Sequence, residues 1–272
     1  MLDAVPEIHD EKAARAMQLE KGQVVVLIHC GSRGLGHQVC TDYLAQMGAA
    51  MKKHGITVPD RQLACLPIQS EEGQAYLAAM RAAANFAWAN RQVILHMTRG
   101  SFRKVFGEST RLDLVYDVCH NIAKRERHSV EGRKADVLVH RKGPTRAFPP
   151  GRREIPAAYR DVGQPVLIPG SMGTASWILA GAEGAMEETF GSVCHGAGRL
   201  LSRTAARKGH DARQVQKRLE EQGIIVRSET REGLIEEIPE AYKDVDEVIE
   251  VVHQAGLARK VARLRPMGVI KG

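Results

Sequence analysis

The spacing of apolar positions along the chain predicts both strands and helices. The run Val24 to Ile28 predicts a short strand that breaks into a Gly-rich turn, Gly31 to Gly36. A helix is expected to follow from Val39 to Lys53 and to end near Gly55. From Glu71 to about Thr98 the chain is Ala-rich, with larger apolar residues at helical spacing. That segment predicts one long helix or two abutting ones.

The remaining pattern alternates strands and helices at irregular intervals. Strands are predicted at Leu112 to Val118, Ala135 to His140, Pro165 to Ile168 and Ala262 to Ile270. Helices are predicted at Gly198 to Lys208, Ala212 to Gln222 and Pro239 to Ala255. Because the spacing is irregular and the loops are long, this order favours an α+β fold with mixed sheets and surrounding helices over a regular doubly wound sheet.

Composition narrows the class of protein. Lys plus Arg is 39 and Asp plus Glu is 32 in 272 residues, so the net charge of +7 indicates an anionic partner such as RNA, DNA or a nucleotide. No apolar run approaches the roughly 20 residues that cross a bilayer. The first residues also lack the apolar stretch of a signal peptide, so a cytoplasmic protein without a membrane is expected. The five cysteines form no CxxC pair, which argues against a disulfide framework and a zinc ribbon.

Several apolar runs end at a His or a Gly, where strand ends present functional groups. These positions are His29, His120, His140, Gly170 and His195. A single His at a strand end is usually structural, but several together favour a divalent metal. The spacing leaves open whether His29 and His120 bind the same metal ion.

Small and hydroxylated residues follow two of these runs. The segment PGSMGTAS, residues 169–176, offers hydroxyls and backbone N–H groups to an anion or a purine edge. The segment HGAGR, residues 195–199, joins an accessible His to an Arg whose planar fork matches phosphate. Plain turns explain both segments as well, and the turn at 31–36 lacks the Lys-Ser/Thr ending of a Walker A motif.

The charged residues fall into two groups. Arg33, Arg199 and Arg203 adjoin Gly-rich elements, which favours contacts with phosphate. The run Arg125-Glu126-Arg127 and the C-terminal cluster are typical of a solvated face; the cluster comprises Arg259, Lys260, Arg263 and Arg265.

Six motifs in order resemble the RtcB family of RNA-splicing ligases. They are IHCGSRGLGHQV, YDVCHNIAK, HRKGPTRAFPPG, PGSMGTAS, SVCHGAGR and RLRPMGVIKG. The resemblance extends from about Val5 to Gly272, and the first motif commonly carries Ser where Cys30 stands here. It implies an enzyme that uses GTP and Mn²⁺ to join an RNA 3′-phosphate or 2′,3′-cyclic phosphate to a 5′-hydroxyl. Such ligases act in tRNA splicing or RNA repair.

The resemblance also implies roles for individual residues. His195 would be the nucleophile that carries GMP, His29 and His120 would bind manganese, and Arg33, Arg199 and Arg203 would hold RNA phosphates. The guanylate pocket would comprise His120, Asn121, Pro169, Gly170, Ser171, Met172, Ser176, His195, Gly196, Ala197, Gly198, Tyr242 and Lys271. The implied partners are RNA, GTP and an archease-type activator.

Family members are considerably longer than this chain. The resemblance implies that residues 1–272 form the C-terminal portion of the catalytic domain, as a single truncated domain. The N-terminal half would supply an Asp, a Cys and a further His to the metal, so the chain alone is expected to be impaired.

Two other functions stay open. One is a non-catalytic fragment that binds RNA or GTP through its basic loops. The other is a metal-dependent phosphoesterase that uses His29, His120 and His140. The shortage of acidic residues beside these histidines weighs against it, because hard two-metal sites usually recruit carboxylates.

Overall fold

The α+β prediction is confirmed. The computed structural model describes residues 1–208 and 210–271, with the backbone alone at 231 and 232. Its strands are β1 Leu2–Ile8, β2 Val24–Val26, β3 Asn121–Val130, β4 Arg133–Lys142, β5 Thr145–Arg146, β6 Pro165–Ile168, β7 Ser176–Gly181, β8 Ser192–Val193, β9 Ile225–Ser228 and β10 Ala258–Lys271. Its α-helices are α1 Glu11–Ala16, α2 Arg33–Lys53, α3 Glu71–Phe106, α4 Glu183–Glu188, α5 Arg203–Arg207, α6 Ala212–Glu221, α7 Arg231–Glu236 and α8 Val245–Gln254.

The chain divides into two compact units. The first combines Met1–Leu27 with Leu114–Gly272, and the second is Ile28–Asp113. The main sheet belongs to the first unit and has the antiparallel order β2-β1-β10-β7-β6, with β9 parallel to the end of β10. The hairpin β3–β4 and the short pair β5–β8 form separate small sheets.

Strand β7 lies between two apolar layers. Its side chains alternate, so that Ile178 and Ala180 join one buried cluster while Trp177 and Leu179 join the other. Helix α1 contributes to the first layer and α8 to the second. Burial on both faces explains why every residue of β7 is buried.

A third apolar cluster sits beside the sheet. It is built from α5, α6, α7 and β9, with Val269 of β10 and the fully buried Met172 of the loop that follows β6. The backbone from 169 to 172 is thereby tied to a packed core.

The second unit is a pair of antiparallel helices, α2 and α3. Tyr43 of α2 donates a hydrogen bond to the Ala75 carbonyl at 3.1 Å, and Lys53 pairs with Glu72 at 2.7 Å. Near the other end, Asn90 of α3 donates to the Gly31 carbonyl at 2.9 Å. Helix α3 begins at its cap Ser70, which accepts from the Gly73 N–H.

Several predicted elements match closely. Strand β6 has the predicted bounds, α6 ends one residue early, and β10 is longer than predicted at both ends. The segment from Glu71 forms one helix, α3, which continues to Phe106.

Other predictions were wrong. Residues 112–118 form no strand, because Val115 and Tyr116 pack on the core instead and the Val115 carbonyl accepts from the Tyr159 hydroxyl. Helix α2 begins at Arg33, so most of the predicted Gly-rich turn is helical.

Two predicted helices are also shorter than expected. Between 198 and 208 only α5 is helical, because Ser202 caps it by accepting from the Ala205 N–H. The predicted helix from Pro239 to Ala255 splits into a 3₁₀ turn and α8, because Asp244 caps α8.

None of the helices in residues 1–208 and 210–271 combines the length and apolar character needed to span a membrane.

Gly181, the last residue of β7, provides a test of the packing at the end of this strand. An alanine Cβ there would lie 2.5 Å from the Phe148 carbonyl oxygen and 2.6 Å from the Ala147 carbonyl carbon. Because both are backbone atoms, the strand must shift, and we expect Gly181→Ala to lower the free energy of unfolding by about 1–3 kcal/mol. Urea titration followed by circular dichroism measures it.

Gly48→Ala in α2 is the matched control. An alanine Cβ at 48 meets no atom within 4 Å, and removing a glycine from a helix interior stabilises it by roughly 0.5–1 kcal/mol. A Gly181→Ala protein as stable as the parent would contradict the packing described here.

Candidate active site

Two histidines from distant parts of the first unit lie face to face. The rings of His120 and His195 are stacked, with centroids 3.9 Å apart and planes 7° from parallel. His120 immediately precedes β3, and His195 is the second residue after β8. The structure therefore brings together the two histidines that carry the most specific predicted roles.

The close of the β3–β4 hairpin shapes this pair. Gly143, just after β4, donates to the His120 carbonyl at 2.7 Å and to the Asn121 side-chain oxygen at 3.2 Å. Its φ is 97°, and a Cβ there would lie 3.8 Å from Cε1 of the His195 ring. A side chain at 143 would reach the His195 ring only at ordinary contact distance, but the positive φ would strain it, which accounts for the glycine.

A buried ion pair holds the hairpin against the segment that leads to His195. Arg141 of β4 binds Glu126 of β3 in a bidentate pair at 2.8 and 2.9 Å. The same guanidinium donates to the Ser192 hydroxyl at 2.9 Å and to the Phe190 carbonyl at 2.9 Å. Because Ser192 begins β8, one side chain positions both segments that carry the stacked histidines.

The network around Glu126 is sealed from solvent. Side chains of Glu126, His128 and Arg141 are at most 3% exposed, and His128 lies 3.0 Å from the Glu126 carboxylate. Burial by itself raises the pKa of Glu126, but hydrogen bonds from Arg141 and His128 outweigh it and the net pKa is lowered.

Burial sets the protonation of His195. It lowers the pKa of the imidazole, and the nearby Lys142 lowers it further against an opposing hydrogen bond with Gly143. The ring is therefore neutral at neutral pH, as a nitrogen nucleophile must be. Burial also raises the pKa of the neighbouring Cys194, so that thiol stays protonated.

The loop after β6 bonds largely to itself. The Gly170 N–H donates to the Ser176 hydroxyl at 3.1 Å, and the Ser171 N–H donates to the Thr174 hydroxyl at 2.8 Å. Ser176 is fully buried. Two N–H groups predicted to hold an anion are thus already bonded, and Met172 offers only its backbone because its side chain is in the core. Pro169 lies near Gly196, since a Cβ on Gly196 would stand 3.9 Å from the Pro169 carbonyl oxygen.

A second polar network joins Tyr242, Arg199 and Lys271 through Glu237. The Tyr242 hydroxyl donates to Glu237 at 2.8 Å, and Lys271 lies 3.3 Å from the same carboxylate oxygen. Arg199 donates to the Tyr242 oxygen at 2.7 Å and stacks over its ring at 4.8 Å. Burial, and after it the neighbouring Glu237 carboxylate, raise the pKa of Tyr242 to about 12, while Arg199 opposes that rise.

The predicted arginines have different surroundings. The Arg199 guanidinium also donates to the Leu201 and Glu236 carbonyls, so its fork faces protein. Arg203 is 73% exposed and lies 3.5 Å from Glu236. Arg33 is exposed in the second unit with a φ of 53°, a conformation that is uncommon for arginine.

The predicted metal ligands are divided between the units. His29 is exposed in the second unit, and His120 belongs to the first. Among residues 1–208 and 210–271, no three His, Cys, Asp or Glu side chains are grouped as a metal site requires. His140 lies exposed on β4.

Comparison with known proteins identifies the family. The family model described as "tRNA-splicing ligase RtcB" matches residues 2–272. Proteins of that description from Thermococcus kodakarensis and Archaeoglobus fulgidus are each 59% identical over 271 residues, which is 98% of this chain. The chain belongs to the RtcB family. A relative from Pyrococcus furiosus with the same description is 58% identical over the whole chain.

This RtcB-family chain is much shorter than those relatives. It spans 56% of the Thermococcus and Archaeoglobus proteins and 28% of the Pyrococcus protein.

Sequence reasoning missed the residues that position the stacked histidines. Glu126 belonged to the run interpreted as a solvated face, and Arg141 and Gly143 belonged to the motif HRKGPTRAFPPG without a role of their own. Nothing in the sequence around Glu237 indicated its role in the Tyr242 network. A hint for Glu126 and His128 was their two-residue spacing, which places them on one face of a strand.

The buried ion pair can be tested by removing its cation. Arg141→Met leaves the Glu126 carboxylate buried without its partner, so we expect the free energy of unfolding to fall by about 3–5 kcal/mol. Urea unfolding measures the loss. Replacing both residues with apolar side chains should recover much of it, because no buried charge then remains.

Arg218→Met is the control for this test. Arg218 binds Glu240 at 2.7 Å, but both side chains are 45% exposed. Such a pair contributes at most about 1 kcal/mol. The interpretation fails if Arg141→Met costs no more than Arg218→Met.

Glu237→Gln tests the electrostatics of the Tyr242 network. Removing the carboxylate charge should lower the Tyr242 pKa from about 12 toward its ordinary value, only in part because burial remains. NMR titration of the tyrosine ring carbons, assigned with Tyr242→Phe, measures it.

Two further observations bear on the Tyr242 titration. Glu240→Gln, which does not touch Tyr242, should leave the pKa unchanged, and an unchanged pKa in Glu237→Gln would contradict the network. Since the folded-state pKa exceeds the unfolded one, the protonated phenol's contribution to stability is lost as pH rises from about 10 to about 12. Tyr242→Phe should lack that loss.

Proposed function

We propose that this chain carries the guanylylation centre of an RNA ligase that depends on GTP and Mn²⁺ and acts in tRNA splicing or RNA repair. Its RNA substrates would end in a 3′-phosphate or a 2′,3′-cyclic phosphate and begin with a 5′-hydroxyl. One observation carries the proposal: in an RtcB-family chain, His195 is half-buried, neutral at neutral pH and stacked on His120.

The reaction needs His195 as a nucleophile. An imidazole nitrogen attacks the α-phosphorus of GTP, the N–P bond forms, pyrophosphate leaves and the ring releases its proton. An oxygen of the RNA 3′-phosphate then attacks the same phosphorus, and the N–P bond breaks. The 5′-hydroxyl finally attacks the activated 3′-phosphate and expels GMP. A cyclic end is first hydrolysed to a 3′-phosphate.

The chain's own residues have distinct tasks in this scheme. His120 holds the His195 ring by stacking, and the Arg141–Glu126 pair fixes the backbone of both. Tyr242 and Lys271 would border the guanine, and Glu237 holds them together because both donate to the same carboxylate oxygen. The other proposed pocket residues are Asn121, Pro169, Gly170, Ser171, Met172, Ser176, Gly196, Ala197 and Gly198.

Manganese would screen charge on the phosphate oxygens when bound. His29 and His120 are the proposed ligands, but no group of three donors is present in residues 1–208 and 210–271. The described donors do not make a metal site on their own.

The proposed RNA contacts and partners follow the same reasoning. Exposed Arg33 and Arg203 suit phosphate contacts, while Arg199 would have to leave its protein acceptors to reach RNA. We also propose a cytoplasmic location and an archease-type activator. A phosphoesterase that uses His140 is less well supported, because that side chain lies exposed on the hairpin.

Intact-mass measurement after incubation with GTP and Mn²⁺ tests the proposal. We expect the chain to gain the mass of one GMP, but slowly, because the described donors make no metal site on their own. His195→Ala should gain none, because the attacking nitrogen is gone. His140→Ala, an equally simple loss of an imidazole, should still gain it.

Two results would count against the proposed role of His195. One is GMP transfer to His195→Ala at the parental level, and the other is transfer lost equally in His140→Ala. RNA bound by the chain with no GMP transfer would favour the non-catalytic alternative.

A further inference from the structure

The β3–β4 hairpin has two chemically different faces. Its strands pair in unbroken antiparallel register from Asn121 opposite Lys142 to Val130 opposite Arg133. Opposed residues share a face, and faces alternate along each strand. Glu126, His128 and Arg141 lie on the face that is turned into the protein, since all three are buried.

The other face is mostly exposed and cationic, although it also carries the buried Ala123 and the half-buried Leu138. It carries the exposed side chains Asn121, Arg125, Arg127, Ser129, Lys134, Asp136, His140 and Lys142. Four of these are cations and Asp136 is the one carboxylate among them. We call this set the hairpin strip.

Among the described residues, the cations of the strip form no close ion pair, although Asp136 stands opposite Arg127 in the register. No ion pair in residues 1–208 and 210–271 involves Arg125, Arg127, Lys134 or Lys142, and Asp136 also forms none. Some other exposed cations of the first unit, such as Arg207 and Arg218, each face a glutamate, whereas Lys12, Arg15 and Lys21 are scattered singly. Unpaired like charges on one surface raise the local concentration of polyanions.

The strip begins at the reacting histidines. Asn121 and Lys142 flank Gly143, which borders the His195 ring, and the strip runs from there to Ser129 and Lys134. Eight residue steps of about 3.4 Å give a length of about 27 Å. A polymer bound along it would therefore have one end at His195.

We propose that the hairpin strip binds the sugar–phosphate backbone of the substrate RNA next to the ends that are joined. This inference rests on the proposed function, which supplies a polyanion at His195. The strip has no Phe, Tyr or Trp for base stacking, so it reads phosphates without sequence preference. It also assigns a task to Arg125 and Arg127, which sequence reasoning interpreted as a solvated face.

Neutralising the strip away from His195 tests this. The triple variant Arg125→Gln, Arg127→Gln, Lys134→Gln removes three cations that touch neither histidine. The matched control is Lys12→Gln, Arg15→Gln, Lys21→Gln, which removes three exposed cations from another part of the first unit. Binding of a mixed-sequence single-stranded RNA, labelled for fluorescence anisotropy, is measured across a salt series.

The strip and a general charge effect predict different results. If the strip binds three phosphates, the slope of log K against log salt should fall by about 2, with roughly 100-fold weaker binding at about 0.1 M salt. The control should keep the parental slope. Equal weakening of both variants, parental binding by the hairpin variant, or no RNA binding by the parent would each overturn the proposal.

Two readouts separate this inference from the proposed function. Far-UV circular dichroism and thermal unfolding must match the parent, since the substituted side chains are exposed. GMP transfer to His195 should be unchanged in the hairpin variant. Strip-dependent RNA binding without GMP transfer speaks against the proposed function alone, and GMP transfer with strip-independent binding speaks against this inference alone.

Discussion

The candidate site depends on one buried ion pair, Arg141 with Glu126. A guanidinium and a carboxylate removed from water are costly unless every donor and acceptor is satisfied. Here the bidentate geometry and the bonds to Ser192 and the Phe190 carbonyl satisfy four of the five guanidinium N–H groups. Because displacing any of these partners is costly, the hairpin and the β8 segment are held together and support the two histidines as one rigid unit.

That rigidity has a chemical consequence at His195. Stacking on His120 fixes the plane of the His195 ring and burial keeps it neutral, both of which favour the proposed role of His195 as a nucleophile. The glycine at 143 provides the positive φ at which the hairpin ends beside the ring. The same residues that restrict solvent access to the imidazole therefore also orient it.

Some cations of the first unit bind other protein side chains, and others face solvent. Arg199 and Lys271 face Glu237 and belong to the framework around Tyr242. The cations of the hairpin strip face solvent, with Asp136 opposite Arg127 as the one carboxylate among the described residues of the strip. A guanidinium whose donors are bonded to protein positions other side chains, whereas one left in water is available to a phosphate.

The sequence alone determined the family, because six family motifs occur in it in the same order. It also determined the α+β class, because the spacing of apolar residues correctly predicted α3, α6 and β6. These features are local, since capping, helical spacing and strand burial depend on neighbours a few residues apart. Only the tertiary structure decided that Glu126 and His128 are buried, that Arg199 is engaged and Arg125 is not, and that 112–118 is not a strand. Those outcomes depend on partners distant along the chain, such as Ser192 for Arg141 and Tyr159 for Val115, and no local pattern encodes which partner a polar group will meet.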